Sequence, residues 1–120
     1  MNNQEFKTEL KRRAFNLARR TIALTDGFPN KRSSWIITDQ LIRAITSIGA
    51  NIIEAQAASS KKDFINFLNH ALKSGNEAKF WFALAKELDE KLIEKINPLI
   101  KETDELVRIL GSSLVKLRNK

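Results

Sequence analysis

Apolar residues along this chain recur at steps of three and four through four long stretches, and no segment sustains an alternation of period two. A chain patterned this way buries its apolar faces by laying helix against helix. The first row is Phe6, Leu10, Ala14, Leu17, Thr21 and Leu24. The second, from a helix beginning near Ser33 or Ser34, is Ile37, Leu41, Ala44, Ile45, Ile48, Ile52 and Ala55. The third is Phe64, Phe67, Leu68, Ala71, Gly75, Ala78, Phe82 and Ala85. A fourth segment, from about Asp89 to Leu117, carries Ile93, Ile96, Ile100, Val107, Leu110 and Leu114 on one side.

The punctuation agrees with four elements. The stretch TDGFPNKRSS gathers Asp, Gly, Pro, Asn and Ser into a loop. Ser60, followed by Asp63 just before Phe64, reads as a helix N-cap with an acid in the first turn. Pro98 interrupts the last segment. Either Asn97 caps a new helix with Pro98 at its first position, or one helix is kinked there. With 120 residues, near the common size for a single core, the expectation is one domain over residues 1–120. Its fold class is all-α, an antiparallel up-down-up-down four-helix bundle.

Composition narrows the setting. Without cysteine there are no disulfides and no thiolate metal sites, which suits a reducing cytosol. No apolar run approaches the roughly 20 residues of a membrane span, and the N-terminus, with Glu5 and Glu9, lacks the apolar core of a signal peptide. A cytoplasmic protein with no membrane partner is expected. The net charge of +7 is uneven: residues 1–32 hold eight Lys and Arg against Glu5, Glu9 and Asp26. A basic surface attracts polyanions, although lysines and arginines also serve simply to solvate a helix. The candidate nucleic-acid contacts are Lys11, Arg12, Arg19 and Arg20 on the first helix, Lys31 and Arg32 in its following loop, and Lys61 and Lys62 at the opposite hairpin. Arg12 and Arg19 are seven apart and share a face, while Glu5 and Glu9 can occupy part of the Lys11–Arg13 charge by i,i+4 pairing. Tyrosine is absent from the chain and base stacking is unsupported, so weak sequence specificity is expected.

The helices carry more apolar surface than one seam needs. Phe15, Ala18 and Ile22 lie on a shoulder of the first helix, and Trp35, Ile42 and Ile53 on a flank of the second. Phe80, Trp81, Leu84 and Leu88 depart from the core row of the third, and Leu99, Leu106, Ile109 and Leu117 widen the fourth. Such surface marks a subunit contact or a broad bundle core. A homo-oligomer is expected, with Phe15, Ile22, Trp35, Phe80, Trp81 and Leu84 as its candidate interface.

One polar line runs against this background. At 100° per residue, Arg43, Ser47, Asn51 and Glu54 fall within roughly 80° on one side of the second helix. Gly49 lies inside the same helical pattern, without the glycine spacing of a phosphate loop, and is expected to let a neighbouring helix approach. The third helix carries a matching row of His70, Ser74 and Glu77. With a hairpin turn near Ser59 and Ser60, Arg43 and Glu77 come within ion-pair distance, in one chain or across a subunit contact; burial of both would make the pair a specifier of geometry. Catalysis has little support. The only histidine, His70, has Phe67 three residues before it where a di-iron bundle would need Glu. Ser47 has no histidine partner in its helix, so no catalytic residue, metal site or cofactor is expected.

The span from Thr38 to Leu88 carries a recognisable set: Gln40, Arg43 and Ala44, then Ser47, Ile48, Ala50, Asn51, Ile52 and Glu54, then Ser60-Lys61-Lys62-Asp63-Phe64, Ala71-Leu72, Ser74, Glu77 and Trp81. In these residues the chain resembles the four-helix-bundle proteins of the 23S rRNA intervening sequences, the S23 ribosomal protein family. The resemblance spans essentially the whole chain and is weakest in the first and last helices. Many members have Gly after the Glu and Gly-Ser in the third helix, where this chain has Ala55 and Lys73-Ser74. The resemblance implies an antiparallel four-helix bundle, a ring-shaped homopentamer and no family-wide enzymatic activity. The accessory variability proteins of diversity-generating retroelements are similar in fold, which implies nucleic acid or a reverse transcriptase as partners. The leading expectation is therefore a non-enzymatic oligomer that binds RNA or DNA through phosphates. The alternative is a scaffold that docks a protein partner such as a reverse transcriptase.

Overall fold

The computed structural model describes residues 2–119; Met1 and Lys120, the outer residues of the expected domain, lie outside that range. Four helices, α1 (Asn3–Thr25), α2 (Arg32–Gln56), α3 (Lys61–Ala85) and α4 (Ile93–Arg118), account for nearly all of it, and no strand occurs among the described residues. The body measures 48 × 25 × 21 Å. Contact is most extensive between α2 and α3, then α3 and α4, then α1 and α2, and thinnest between α1 and α4.

The helix ends follow local chemistry. Asn2 accepts a hydrogen bond from the Glu5 amide at 2.8 Å, and Ser60 from the Asp63 amide at 3.1 Å, each satisfying an amide that the helix itself leaves orphaned. The second helix departs from expectation: it starts at Arg32 after Lys31, with no side-chain cap. Ser34 faces inward and is buried, its hydroxyl without a partner, and so is not free to cap the helix. Asp89 caps a 3-10 turn (Glu90–Leu92) that leads straight into α4. Helix α4 then runs through Pro98, so no new helix begins at Asn97. The hydrogen bond that Pro98 cannot donate would have reached the carbonyl of Glu94, in the first turn of the helix.

The rows on α2 and α3 enter the core largely as the spacing predicts. Leu41, Ala44, Ile45, Ile48, Ile52 and Ala55 meet Leu68, Ala71, Gly75, Ala78, Phe82 and Ala85, while Ile37, Phe64 and Phe67 are half-buried at the margin. On α1, Leu10, Ala14, Leu17 and Thr21 are buried, but Phe6 is exposed and Leu24 only half-buried.

The fourth helix corrects the sequence reading. Its buried seam is Ile96, Leu99, Thr103, Leu106, Leu110 and Leu114, whereas Ile93 is exposed and Ile100 and Val107 are half-buried. Leu99 and Leu106, expected among the surplus, are core; Ile109 and Leu117 pack against it as half-buried residues. The competing row 93–100–107 has an unbroken apolar sequence, while the true 3-4-3-4 seam is broken by Thr103. The Thr103 hydroxyl donates to the Leu99 carbonyl at 2.7 Å, which satisfies it inside its own helix and lets the residue be fully buried. Thr21 does the same with Leu17 at 2.7 Å.

Candidate nucleic-acid interface

The basic residues of α1 divide according to what faces them. Arg12 is taken by Glu9 one turn earlier, in an exposed pair. Arg13 turns toward α4, where its guanidinium donates to Glu102 at 2.9 and 2.6 Å and to Glu105 at 2.6 Å. This connection spans 89 and 92 residues of chain, and no pattern within α1 announces it. Lys11, Arg19 and Arg20 are exposed and make no ion pair with any described residue. Lys31 and Arg32 at the start of α2 and Lys61 and Lys62 at the start of α3 are likewise exposed and unpaired. Arg12 thus has its charge locally answered, and the other candidates have no carboxylate partner among the described residues.

The Arg13 fork fastens the thinnest seam of the bundle. Its hydrogen bonds hold the Glu102 carboxyl below the ordinary value near 4.5, against the opposing effect of partial burial. A depressed carboxylate stabilises the fold above its unfolded pKa, and that contribution disappears as pH falls through the folded value. Arg13→Gln is expected to cost about 1 kcal/mol at pH 7, since solvent reaches both partners and screens them. The difference from the parent should hold down to about pH 5 and close toward pH 3. Urea unfolding at pH 7 and pH 3 checks this, and a difference that widens on acidification would contradict it.

The polar line of α2 splits into two groups. Ser47 Oγ accepts from Asn51 Nδ2 at 3.0 Å and from Ser74 Oγ at 2.9 Å, and Asn51 also donates to the Ser47 carbonyl at 2.8 Å. Arg43 donates to Glu77 in the same chain and to Gln40 at 3.0 Å, and the Trp81 indole donates to Glu77 at 2.9 Å. The Trp81 bond, followed by Arg43, holds the Glu77 carboxyl below its ordinary value. Arg43 and Glu77 are 56% and 38% exposed, so this is a surface pair and not the buried specifier that was one expectation. Glu54 and His70 are exposed and join neither group by a hydrogen bond. The shallow groove beside them offers a cation, a carboxylate and an imidazole together, without the geometry of a nucleophile and its base. Among the described residues no group of three His, Cys, Asp or Glu could hold a metal ion. No described helix is long and apolar enough to cross a membrane.

The apolar surplus is concentrated on two faces. Phe15 (69% exposed), Ile22 and Ile53 (56%) border a groove of about 490 Å³ between α1 and α2, floored by Ala14, Ala18, Gly49 and Ala50. Trp35 (59%) and Ile36 on α2 and Phe80 (58%) and Leu84 on α3 are also exposed. Trp81 differs from its expected role: it is half-buried against the core, its indole N–H is satisfied by Glu77, and its ring meets Phe80 edge-on with centroids 5.2 Å apart.

The family model of the 23S rRNA-intervening sequence protein matches residues 7–112. A crystal structure from Bacteroides thetaiotaomicron, of a protein of unknown function from the S23 ribosomal protein family, is similar at 32% identity and a TM-score of 0.81; the match covers 90% of this chain and 96% of that one. No curated protein matches the chain.

Proposed function

We propose, for a chain that belongs to the 23S rRNA-intervening sequence protein family, that it acts without catalysis as a self-associating single-domain bundle holding RNA or DNA through phosphate contacts. The observation that carries this reading is the set of exposed cations without carboxylate partners: Lys11, Arg19 and Arg20 on α1, with Lys31 and Arg32 after it. Their charge is unanswered by any described carboxylate and forms part of the chain's net +7. Arg12, answered by Glu9, contributes less than its neighbours. Lys61 and Lys62 provide a second contact at the α2–α3 turn. One exposed ring, Phe15, stands between Lys11 and Arg19, and no second ring lies beside it to form a stacking platform, so contacts to phosphate dominate and base discrimination is weak.

The helices are proposed to run up-down-up-down. Two cross-links support this: Ser47 meets Ser74 and Arg43 meets Glu77, so that stepping back along α2 steps forward along α3. The apolar groove of Phe15, Ile22 and Ile53 supports self-association into a closed ring, with a pentamer as the proposed number and the cytoplasm as the compartment. The same groove favours a second reading, in which the bundle is a scaffold and the groove seats a protein partner such as a polymerase.

Filter binding of a single-stranded RNA across a salt series tests the leading reading. Affinity should fall linearly on logarithmic axes, and Arg19→Gln with Arg20→Gln should make the slope shallower by about 1.4, at about 0.7 for each lost phosphate contact. Affinity indifferent to salt would refute phosphate binding.

A further inference from the structure

The open end of the α1–α4 seam holds a cleft of about 400 Å³ whose chemistry is one-sided. Arg19 and Arg20 stand on the α1 wall and Lys95 on the α4 wall, over a floor formed mainly by Leu24, Leu92 and Leu99. No acidic side chain lines it. None of the three cations forms an ion pair with a described residue, although the carboxylates of α4 pair with cations elsewhere: Glu102 and Glu105 with Arg13, and Asp104 with Lys79 and Arg108. Arg20 acts on Glu102 only through space, and that carboxylate is already held by both nitrogens of the Arg13 fork. Lys95 escaped the sequence reading because it lies 75 residues from Arg20, outside the basic N-terminal segment; only the packing of α4 against α1 makes them neighbours.

Like charges on facing walls repel, and in a recess with apolar walls the repulsion is less screened than on open surface. An anion between them removes that cost. Guanidinium forks are suited to phosphoryl oxygens, and an ammonium adds a third donor from the other side. The leucine floor then decides what kind of anion. A bare inorganic ion gains nothing from apolar surface, whereas a sugar and base attached to the phosphate gain contact and desolvation there. The volume falls within the range of about 300–1,000 Å³ that small-ligand sites occupy. By contrast, the groove of Ser47, His70 and Glu77 mixes signs and favours no anion.

We propose that the cleft of Arg19, Arg20 and Lys95 is a binding site for a nucleoside phosphate, with the phosphate held between the α1 and α4 walls and the nucleoside on the leucine floor. The proposal rests on the nucleic-acid reading in taking that unit from a single strand, the same chemistry being also available from a free nucleotide. No aromatic ring faces the floor, so the site discriminates poorly among bases.

Calorimetric titration with uridine monophosphate, uridine, inorganic phosphate and a decauridylate tests it, beside amide shifts at Leu92 and Leu99. Uridine monophosphate should bind, uridine should not, and inorganic phosphate should bind at least tenfold more weakly than the nucleotide. Arg20→Gln with Lys95→Gln should weaken nucleotide binding by about tenfold or more. Lys101→Gln with Arg118→Gln, an equal loss of charge outside the cleft, should leave it unchanged. Nucleotide binding that is absent, indifferent to the cleft variant, or matched by inorganic phosphate would overturn the site. Displacement of the nucleotide by the decauridylate identifies the strand as the source; failure to displace assigns the cleft to free nucleotide and overturns the strand assignment. A decauridylate that binds with the expected salt dependence but ignores the cleft variant leaves the broader reading standing and overturns the strand assignment of the cleft. One that does not bind at all overturns the broader reading, and the cleft falls with it only where uridine monophosphate also fails to bind.

Discussion

Gly75→Leu is expected to lower the melting temperature by about 10 °C or more and to loosen α3 from α4. A side chain at this buried position would place its first carbon 2.5 Å from Val107 Cγ2 and 3.7 Å from Ile48 Cδ1, well inside contact distance on the α4 side. Val107 is β-branched and half-buried, with little rotamer freedom to retreat. Overpacking a core typically costs about 1–3 kcal/mol, and a leucine with no space reserved for it belongs at or above the upper end. At roughly 3–4 °C per kcal/mol for a domain of this size, that gives the stated shift. Gly75→Leu combined with Val107→Ala should recover part of the loss, and thermal unfolding of the four proteins in a double-mutant cycle measures how much. Additive effects would show that Val107 is not the obstacle.

Gly49 sharpens the contrast. Its added carbon would lie 3.5 Å from the Ala14 Cβ, an ordinary van der Waals contact, with no backbone strain to relieve. The neighbouring helix expected at Gly49 is α1, and its approach leaves room for a methyl group. Two glycines in similar helical settings thus differ in what they permit, and the difference lies wholly in the opposing helix.

Phe15→Gln with Ile53→Gln should convert the assembled protein into a species near the 13.7 kDa chain mass at micromolar concentration, read by light scattering. Both residues are more than half exposed on one groove, and their substitutes are uncharged, so the change does not alter the basic surface. Burying a phenylalanine and an isoleucine contributes about 1.5–3 kcal/mol each, so their joint loss weakens each subunit contact on the order of 10² to 10⁴-fold. A parent protein already of monomer mass would refute self-association. A double variant that stays assembled would move the contact to the other exposed group around Trp35, Phe80 and Leu84.

The sequence by itself determined the helices, the cap at Ser60, the buried rows of α2 and α3, and the family. These are properties of spacing, and a 3.6-residue period fixes which residues of one helix share a face whatever lies opposite. It placed the unpaired cations on α1 as well, because local carboxylates such as Glu9 can be read at i,i+3 and i,i+4. It could not choose between two apolar rows on α4, since burial of Thr103 depends on a hydroxyl bonded back to Leu99 inside an enclosing core. Nor could it find Arg13 with Glu102, or Lys95 beside Arg19 and Arg20. Those pairings join distant parts of the chain, and helix period says only which residues face outward. What each one meets is settled when α1 and α4 pack, and there the charges left answered and unanswered are decided.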